Sequence, residues 1–181
     1  MKIYLIRHAE ANSKIEGAPL TKRGIEEAKI VANELLNYKI KRIYFSNLLR
    51  AKQTAEFYLK LKPKIKNTCE ERLSEIYRVL IGGPEKLGAS KDRKVEDKKR
   101  ADEVFKEILK KGEDVAIFCH GNIIRYYLNK VLKSKENLWE NLTINNCSIS
   151  ILSWENSILK IEGINLNKNS IEESREKKYI D

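Results

Sequence analysis

Short apolar runs alternate with stretches of helical periodicity along most of the chain. Residues 2–7 (KIYLIR) make a run of strand length at its start, the pattern of a short buried strand. From Thr21 to about residue 38, Ile25, Ala28, Val31, Ala32, Leu35 and Leu36 recur at helical spacing and predict an amphipathic helix that Thr21 can cap. Residues 42–45 (RIYF) predict a second strand, and Ser46 is placed to cap a helix running to about Leu61, with Leu49, Ala51, Ala55, Tyr58 and Leu59 facing inward. A third strand is expected over residues 65–69. Residues 76–99 hold Gly82-Gly83-Pro84, Gly88 and much of a run of mixed charge that ends at Arg100. That composition predicts a loop, and its place suits a lid or substrate loop. Helical spacing resumes over residues 101–111 through Val104, Phe105, Ile108 and Leu109, and Gly112 ends it.

Residues 114–119 (DVAIFC) form the clearest buried strand, followed by a helix over about 122–132 and a short helix after Ser134. Residues 147–154 and 158–162, separated by Glu155-Asn156-Ser157, predict a C-terminal β-hairpin. Alternation of this kind specifies an α/β domain: three layers, α/β/α, around a mostly parallel central sheet with one antiparallel edge. The 181 residues suffice for one core, assigned to residues 1–164, with a polar tail over 165–181.

Composition narrows the class. Hydrophobic residues at 41%, with 8 glycines and 3 prolines, exclude collagen-like and disordered chains. No apolar run approaches a membrane span and the opening run is too short for a signal peptide, so a soluble, cytoplasmic protein without a membrane partner is expected. Three cysteines (Cys69, Cys119, Cys147) without a Cys-x-x-Cys pair fit reduced thiols. The net charge of +10 suggests a polyanion or an acidic ligand. Its lysines are spread over most helices without a basic groove or zinc spacing, so they read as a solvated face and nucleic acid is not the expected partner.

With only 2 histidines a histidine-rich metal site is excluded, and any histidine chemistry rests on His8 and His120. In a parallel α/β sheet ligands bind beyond the carboxyl ends of the strands. His8 follows the first strand and Arg7 directly; His120 follows DVAIFC and opens Gly121-Asn122 into a helix; Arg50 lies early in the helix after the second strand. Such a crevice suits a phosphoryl group, whose transfer needs aligned positive donors and an in-line nucleophile. Arg7 and Arg50 can each fork onto two oxygens. Backbone amides near Gly121 and Asn122 add donors at a helix N-terminus, and Gly121 leaves room for close approach. A neutral imidazole can attack phosphorus without a metal or other cofactor.

Four ordered segments carry a family resemblance. Leu5-Ile6-Arg7-His8-Ala9-Glu10 resembles the R-H-G signature of the histidine phosphatase superfamily, which includes the cofactor-dependent phosphoglycerate mutases. Leu20-Thr21-Lys22-Arg23-Gly24 is similar to its L-T-x-x-G step, residues 46–55 (SNLLRAKQTA) to its S-x-L-x-R-A-x-Q-T-A segment, and residues 119–125 (CHGNIIR) to its S-H-G-x-x-I-R segment. Residues 145–149 (NNCSI) resemble the N-x-S-I lead-in to the last hairpin in the branch that holds mitochondrial phosphoglycerate-mutase-like serine/threonine phosphatases.

The resemblance implies a phosphoglycerate mutase-like fold and a small single-domain phosphatase. His8 would be the nucleophile, and Arg7, Arg50 and His120 would bind the phosphoryl group. Glu75, in Arg72-Leu73-Ser74-Glu75, would protonate the leaving oxygen and then activate water, with Glu10 as the rival acid. The substrate class is a phosphoprotein or a small phosphometabolite, and a homodimer is a family option. Position 9 is Ala9 where the signature has glycine, and where many relatives follow the signature with Ser or Thr and then Asn this chain has Ala11 and Lys14, with Asn12 and Ser13 between, so no neutral phosphate ligand is carried over there. Three rival readings stand beside it: a cysteine phosphatase using Cys119 and Arg125 (C-x5-R), a phosphoglycerate mutase, and a polyanion-binding protein on a non-catalytic phosphatase fold.

Overall fold

A computed structural model describes residues 1–13, 17–76, 91–133 and 142–167. Its six-stranded sheet has the order β3-β2-β4-β1-β5-β6, with β1 Lys2–Arg7, β2 Arg42–Phe45, β3 Lys66–Cys69, β4 Val115–Cys119, β5 Ile149–Glu155 and β6 Ile158–Leu166. The four strands β3, β2, β4 and β1 run parallel, and β5 pairs antiparallel with both β1 and β6. The antiparallel strand expected at an edge is therefore β5, one place in from it.

Alternation along the central strands sorts the core into two layers. Ile3 and Leu5 of β1, with Val115, Ile117 and Cys119 of β4, pack against α3 (Lys91–Lys111) and α4 (Gly121–Leu132). Tyr4 and Ile6, with Ala116 and Phe118, face α1 (Lys22–Glu34) and α2 (Leu49–Leu61). All five β4 residues are buried. A strand covered on both sides reads as an unbroken apolar run, which is why DVAIFC was so legible.

Thr21 caps α1 as expected, its hydroxyl accepting from the Gly24 amide at 2.9 Å. On that helix Gly24, Ala28, Val31 and Ala32 are buried, whereas Ile25 and Leu36 of the predicted stripe are exposed. An added Cβ at Gly24 would stand 2.0 Å from the Glu10 carbonyl oxygen. Glycine is what lets α1 start against the loop after β1.

Four expectations need correction. Ser46 does not cap α2: Leu48 is at the cap, without a side-chain bond, and Ser46 turns to the site described below. The inner face of α2 includes Arg50 and Thr54, while Leu49 and Leu59 are half-buried. Helix α3 begins at Lys91, ten residues before the predicted start. In its early turns the apolar stripe fails, since Val95 is 66% exposed, and the inward groups are Asp97 and Arg100, so hydrophobic periodicity could not reveal it. Strand β6 runs to Leu166, into the stretch read as tail. The rest of the expected lid (77–90), the short helix after Ser134 (134–141) and residues 168–181 lie outside the described residues. Among the described residues no helix is long and apolar enough to cross a membrane.

Candidate active site

Three parallel strands end side by side, and the residue after each one points chemistry at the same crevice. Register places Arg7 opposite Cys119 and Phe45 opposite Phe118. The ladder continues past the strand ends: the His8 amide donates to Cys119 O at 2.9 Å and the Ser46 amide to Phe118 O at 3.0 Å. The His8 carbonyl accepts from Asn146 Nδ2 at 2.8 Å, so this backbone is held on both sides. The rings of His8 and His120 lie 5.1 Å apart between centroids, tilted by 57°.

His8 Nδ1 lies 2.7 Å from the Ala9 carbonyl oxygen, an acceptor, so Nδ1 carries the proton and Nε2 keeps its lone pair. Arg50 Nε donates toward that lone pair at 3.1 Å. Burial lowers the His8 pKa first, Arg50 and Arg7 lower it further against the opposing Ala9 bond, and it falls to about 3. His8 is thus a neutral imidazole with a directed lone pair at any ordinary pH. His120 is also held neutral, by burial first and then by His8 and the surrounding arginines. Its Nε2 pairs with Ser46 Oγ at 2.8 Å.

Arg50 sits in the first turn of α2 and is buried. Thr54, one turn on, donates its hydroxyl to Arg50 O at 2.6 Å and accepts the Ala9 amide at 3.0 Å, tying α2 to the His8 loop. Arg7 donates through Nη1 to Ile144 O. Burial lowers its pKa, but a guanidinium stays charged. A Cβ on Gly121 would be 3.6 Å from both Arg7 Nε and Arg125 Nη1, an ordinary contact that would fill the space beside both guanidiniums. At this site Arg7 Nε and His120 Nδ1 are buried polar atoms without a hydrogen-bond partner among the described residues. Buried groups of this kind are rare without a ligand or solvent to meet them.

Glu75 reaches the N-terminus of α4, where its Oε1 accepts the amides of Asn122 (3.0 Å), Ile76 (3.1 Å) and Ile123 (3.3 Å). Desolvation outweighs those bonds and the charge of Arg50, and pushes its pKa up to about 7. A carboxyl that titrates there can both give and take a proton near neutrality. Glu10 is directed elsewhere: Oε1 accepts from Thr21 Oγ1 at 2.7 Å and Oε2 lies 3.8 Å from Arg23 Nη1. Of the two rival acids, Glu75 is the one bonded to the turn that follows His120 and coupled to Arg50 and Arg7.

Cys119 belongs to the core layer under α3 and α4, and burial pushes its thiol pKa upward, away from the thiolate a cysteine phosphatase needs. Arg125 Nη1 bonds Asn122 Oδ1 at 2.9 Å. Among the described residues no group of three or more His, Cys, Asp or Glu side chains is placed to hold a metal ion.

His8, His120, Arg7, Arg50, Glu75 and Gly121 are therefore brought together. Sequence reasoning missed Ser46, Thr54 and Asn146 as supports of this site. Ser46 and Thr54 lie in the SNLLRAKQTA segment and Asn146 in NNCSI, so the motifs carried a signal for each.

The model of the histidine phosphatase superfamily (branch 1) matches residues 3–86 and 82–167. The chain belongs to that superfamily. Among curated histidine phosphatase relatives, the mitochondrial serine/threonine-protein phosphatase PGAM5 of Xenopus laevis is 29% identical over 165 residues, covering 83% of this chain and 59% of that protein. PGAM5 of Rattus norvegicus is 30% identical over 165 residues, covering 83% and 57%. The chain thus spans less than two thirds of these relatives. Among solved structures, Bacillus stearothermophilus YhfR superposes with a TM-score of 0.76 at 22% identity, covering 89% of this chain and 95% of that one. A phosphoserine phosphatase of Entamoeba histolytica, in complex with 3-phosphoglyceric acid, gives 0.74 at 21%, covering 92% and 98%. At these identities the structural likeness establishes the three-layer histidine phosphatase fold.

Proposed function

We propose that this histidine phosphatase is a metal-independent phosphomonoesterase working through phosphorylated His8. The observation that carries the reading is the neutral His8 ring, its Nε2 lone pair 3.1 Å from Arg50 Nε and its ring beside that of His120. Nε2 attacks phosphorus and the P–Nε2 bond forms. The ester P–O bond breaks, and its electron pair goes to the leaving oxygen, which takes the proton from Glu75. The Glu75 carboxylate then removes a proton from water as that water attacks phosphorus, and cleavage of P–Nε2 returns the lone pair to His8. Arg7 and Arg50 hold the equatorial oxygens through the transfer. Arg7 Nε and His120 Nδ1 gain partners when those oxygens bind.

The substrate is a phosphomonoester, either on a protein or on a small metabolite. The names of the PGAM5 relatives favour the first and that of the Entamoeba histolytica enzyme the second. The test is phosphate release from a panel of phosphopeptides and small phosphoesters in the presence of chelator, for wild type and His8→Ala, with acid-quench trapping of a labelled phosphoenzyme. Wild type is expected to release phosphate and to trap label, and H8A to do neither. Full activity of H8A would refute the mechanism. Isomerisation of phosphoglycerate faster than phosphate release would favour the mutase reading, and salt-sensitive polyanion binding without turnover the non-catalytic one.

A further inference from the structure

Glu75 lies in an irregular segment after the 3-10 turn Glu71–Leu73, a weak foundation for a group that must deliver a proton. One side chain of α3 holds that segment. Arg100 donates through Nη1 to the carbonyls of Arg72 (2.7 Å) and Ser74 (2.8 Å), and through Nη2 to that of Glu75 (2.9 Å). Its Nε and Nη2 also donate to Asp97 Oδ1, at 3.0 and 2.8 Å, one turn earlier on α3. Asp97 is buried. A guanidinium has five N–H donors, and these five bonds use them all. None is left for a substrate, so Arg100 cannot act as a further phosphate ligand.

The carboxyl end of Glu75 is fixed independently by α4. The Asn122 amide donates to Oε1 at 3.0 Å, while Asn122 Nδ2 donates to Ile76 O at 2.8 Å. Glu75 is thus clamped at its backbone by α3 and at its carboxyl by α4, and its reach toward the His8 side of the crevice depends on both.

We propose that Arg100, oriented by Asp97, is a positioning residue that sets the Glu75 carboxyl for proton transfer to the leaving oxygen. The proposal rests on the phosphohistidine reading and on Glu75 as its acid. It predicts a dependence on the leaving group. An alkyl phosphate leaves as a strongly basic alkoxide and needs the proton; p-nitrophenolate does not. Loss of position should therefore be felt in kcat/KM for the alkyl ester alone, because that ratio reports the steps up to phosphoenzyme formation.

The experiment compares kcat/KM for β-glycerophosphate and p-nitrophenyl phosphate in wild type, Arg100→Ala, Arg100→Lys, Asp97→Asn and Glu75→Gln, each checked for folding by thermal unfolding. R100A is expected to lose roughly 10²-fold on the alkyl ester and under about 10-fold on the aryl ester, the scale of a misplaced acid. E75Q should show the same selectivity, with R100K and D97N between R100A and wild type. Should R100A not fold, R100K and D97N are read by the same criterion. Equal losses on both esters, or none on either, would overturn the proposal. A wild type that traps phosphoenzyme while the Arg100 variants show no selectivity defeats only this inference. A wild type that neither releases phosphate from any phosphopeptide or phosphoester of the panel nor traps a phosphoenzyme removes the functional reading beneath it.

Discussion

Replacing Glu75 by glutamine keeps the shape and the Oε1 acceptor for the amides of Ile76, Asn122 and Ile123, but removes the proton. For an alkyl ester the loss should be about 10²–10⁴-fold in kcat/KM, or roughly 3–5 kcal/mol of transition-state stabilisation. The proposed mechanism requires the acid form of Glu75, so with a pKa of about 7 the rate is expected to fall tenfold per unit above neutrality. On the acid side His8 stays neutral down to about 3, so the fall that begins there earlier, at about pH 6, belongs to the substrate phosphate taking its second proton. E75Q removes the alkaline limb and leaves the acid one.

The same substitution makes a second, opposite prediction about stability. Burial raises the folded Glu75 pKa from 4.5 to about 7. Between those values the unfolded chain releases a proton that the folded one keeps, so wild-type stability declines as pH rises through that window and levels off above it. At 1.36 kcal/mol per unit the decline is about 3 kcal/mol, a ceiling because the residue is only half-buried. E75Q has no such decline, so its stability relative to wild type should grow from pH 4.5 to 7 and then stay constant. Urea unfolding at a series of pH values measures this. Wild-type activity of E75Q on alkyl esters would refute the acid role; a constant stability difference across that window would refute the desolvated carboxyl.

Arg50→Met keeps volume and removes the charge beside His8 Nε2, and should cost roughly 2–4 kcal/mol in kcat/KM, the scale of a lost preorganised donor. Steady-state kinetics check it, and a variant within about threefold of wild type would take Arg50 out of the mechanism. Gly24→Ala places a methyl 2.0 Å from the Glu10 carbonyl oxygen, where backbone must shift, so thermal unfolding should show a loss of about 1–3 kcal/mol, or roughly 3–10 °C.

Legibility followed burial. The central strands β1, β2 and β4 were readable because their residues are covered on both faces and therefore run apolar without interruption. The candidate site was readable at His8 and His120 because each lies just beyond a strand end, and at Arg50 because it opens the helix after one. Glu75 was readable only through family resemblance, since no periodicity marks an irregular segment. Arg100 and Asp97 were hidden in a charged run whose composition reads as loop, although both turn inward and bond. An inward polar residue and a solvated one look alike in sequence. What distinguishes Arg100 is the set of free carbonyls at residues 72–75, which a folded chain alone reveals.

Burial also connects the fold to the chemistry. A free imidazole would be mostly protonated at pH 6 and would have no lone pair to offer. The coverage that makes β1 and β4 apolar extends to the residues that follow them, and it holds His8 and His120 neutral. With Glu75 mainly protonated at that pH, the charges left facing the crevice from these residues are those of Arg7 and Arg50. Two positive charges match a phosphoryl dianion. On the proposed mechanism the desolvation that disfavours imidazolium thus does two things at once: it preserves the nucleophile and sets the charge of the site to match a phosphomonoester dianion. More exposed histidines at the same two positions would bring additional positive charge, bind phosphate and fail to attack it.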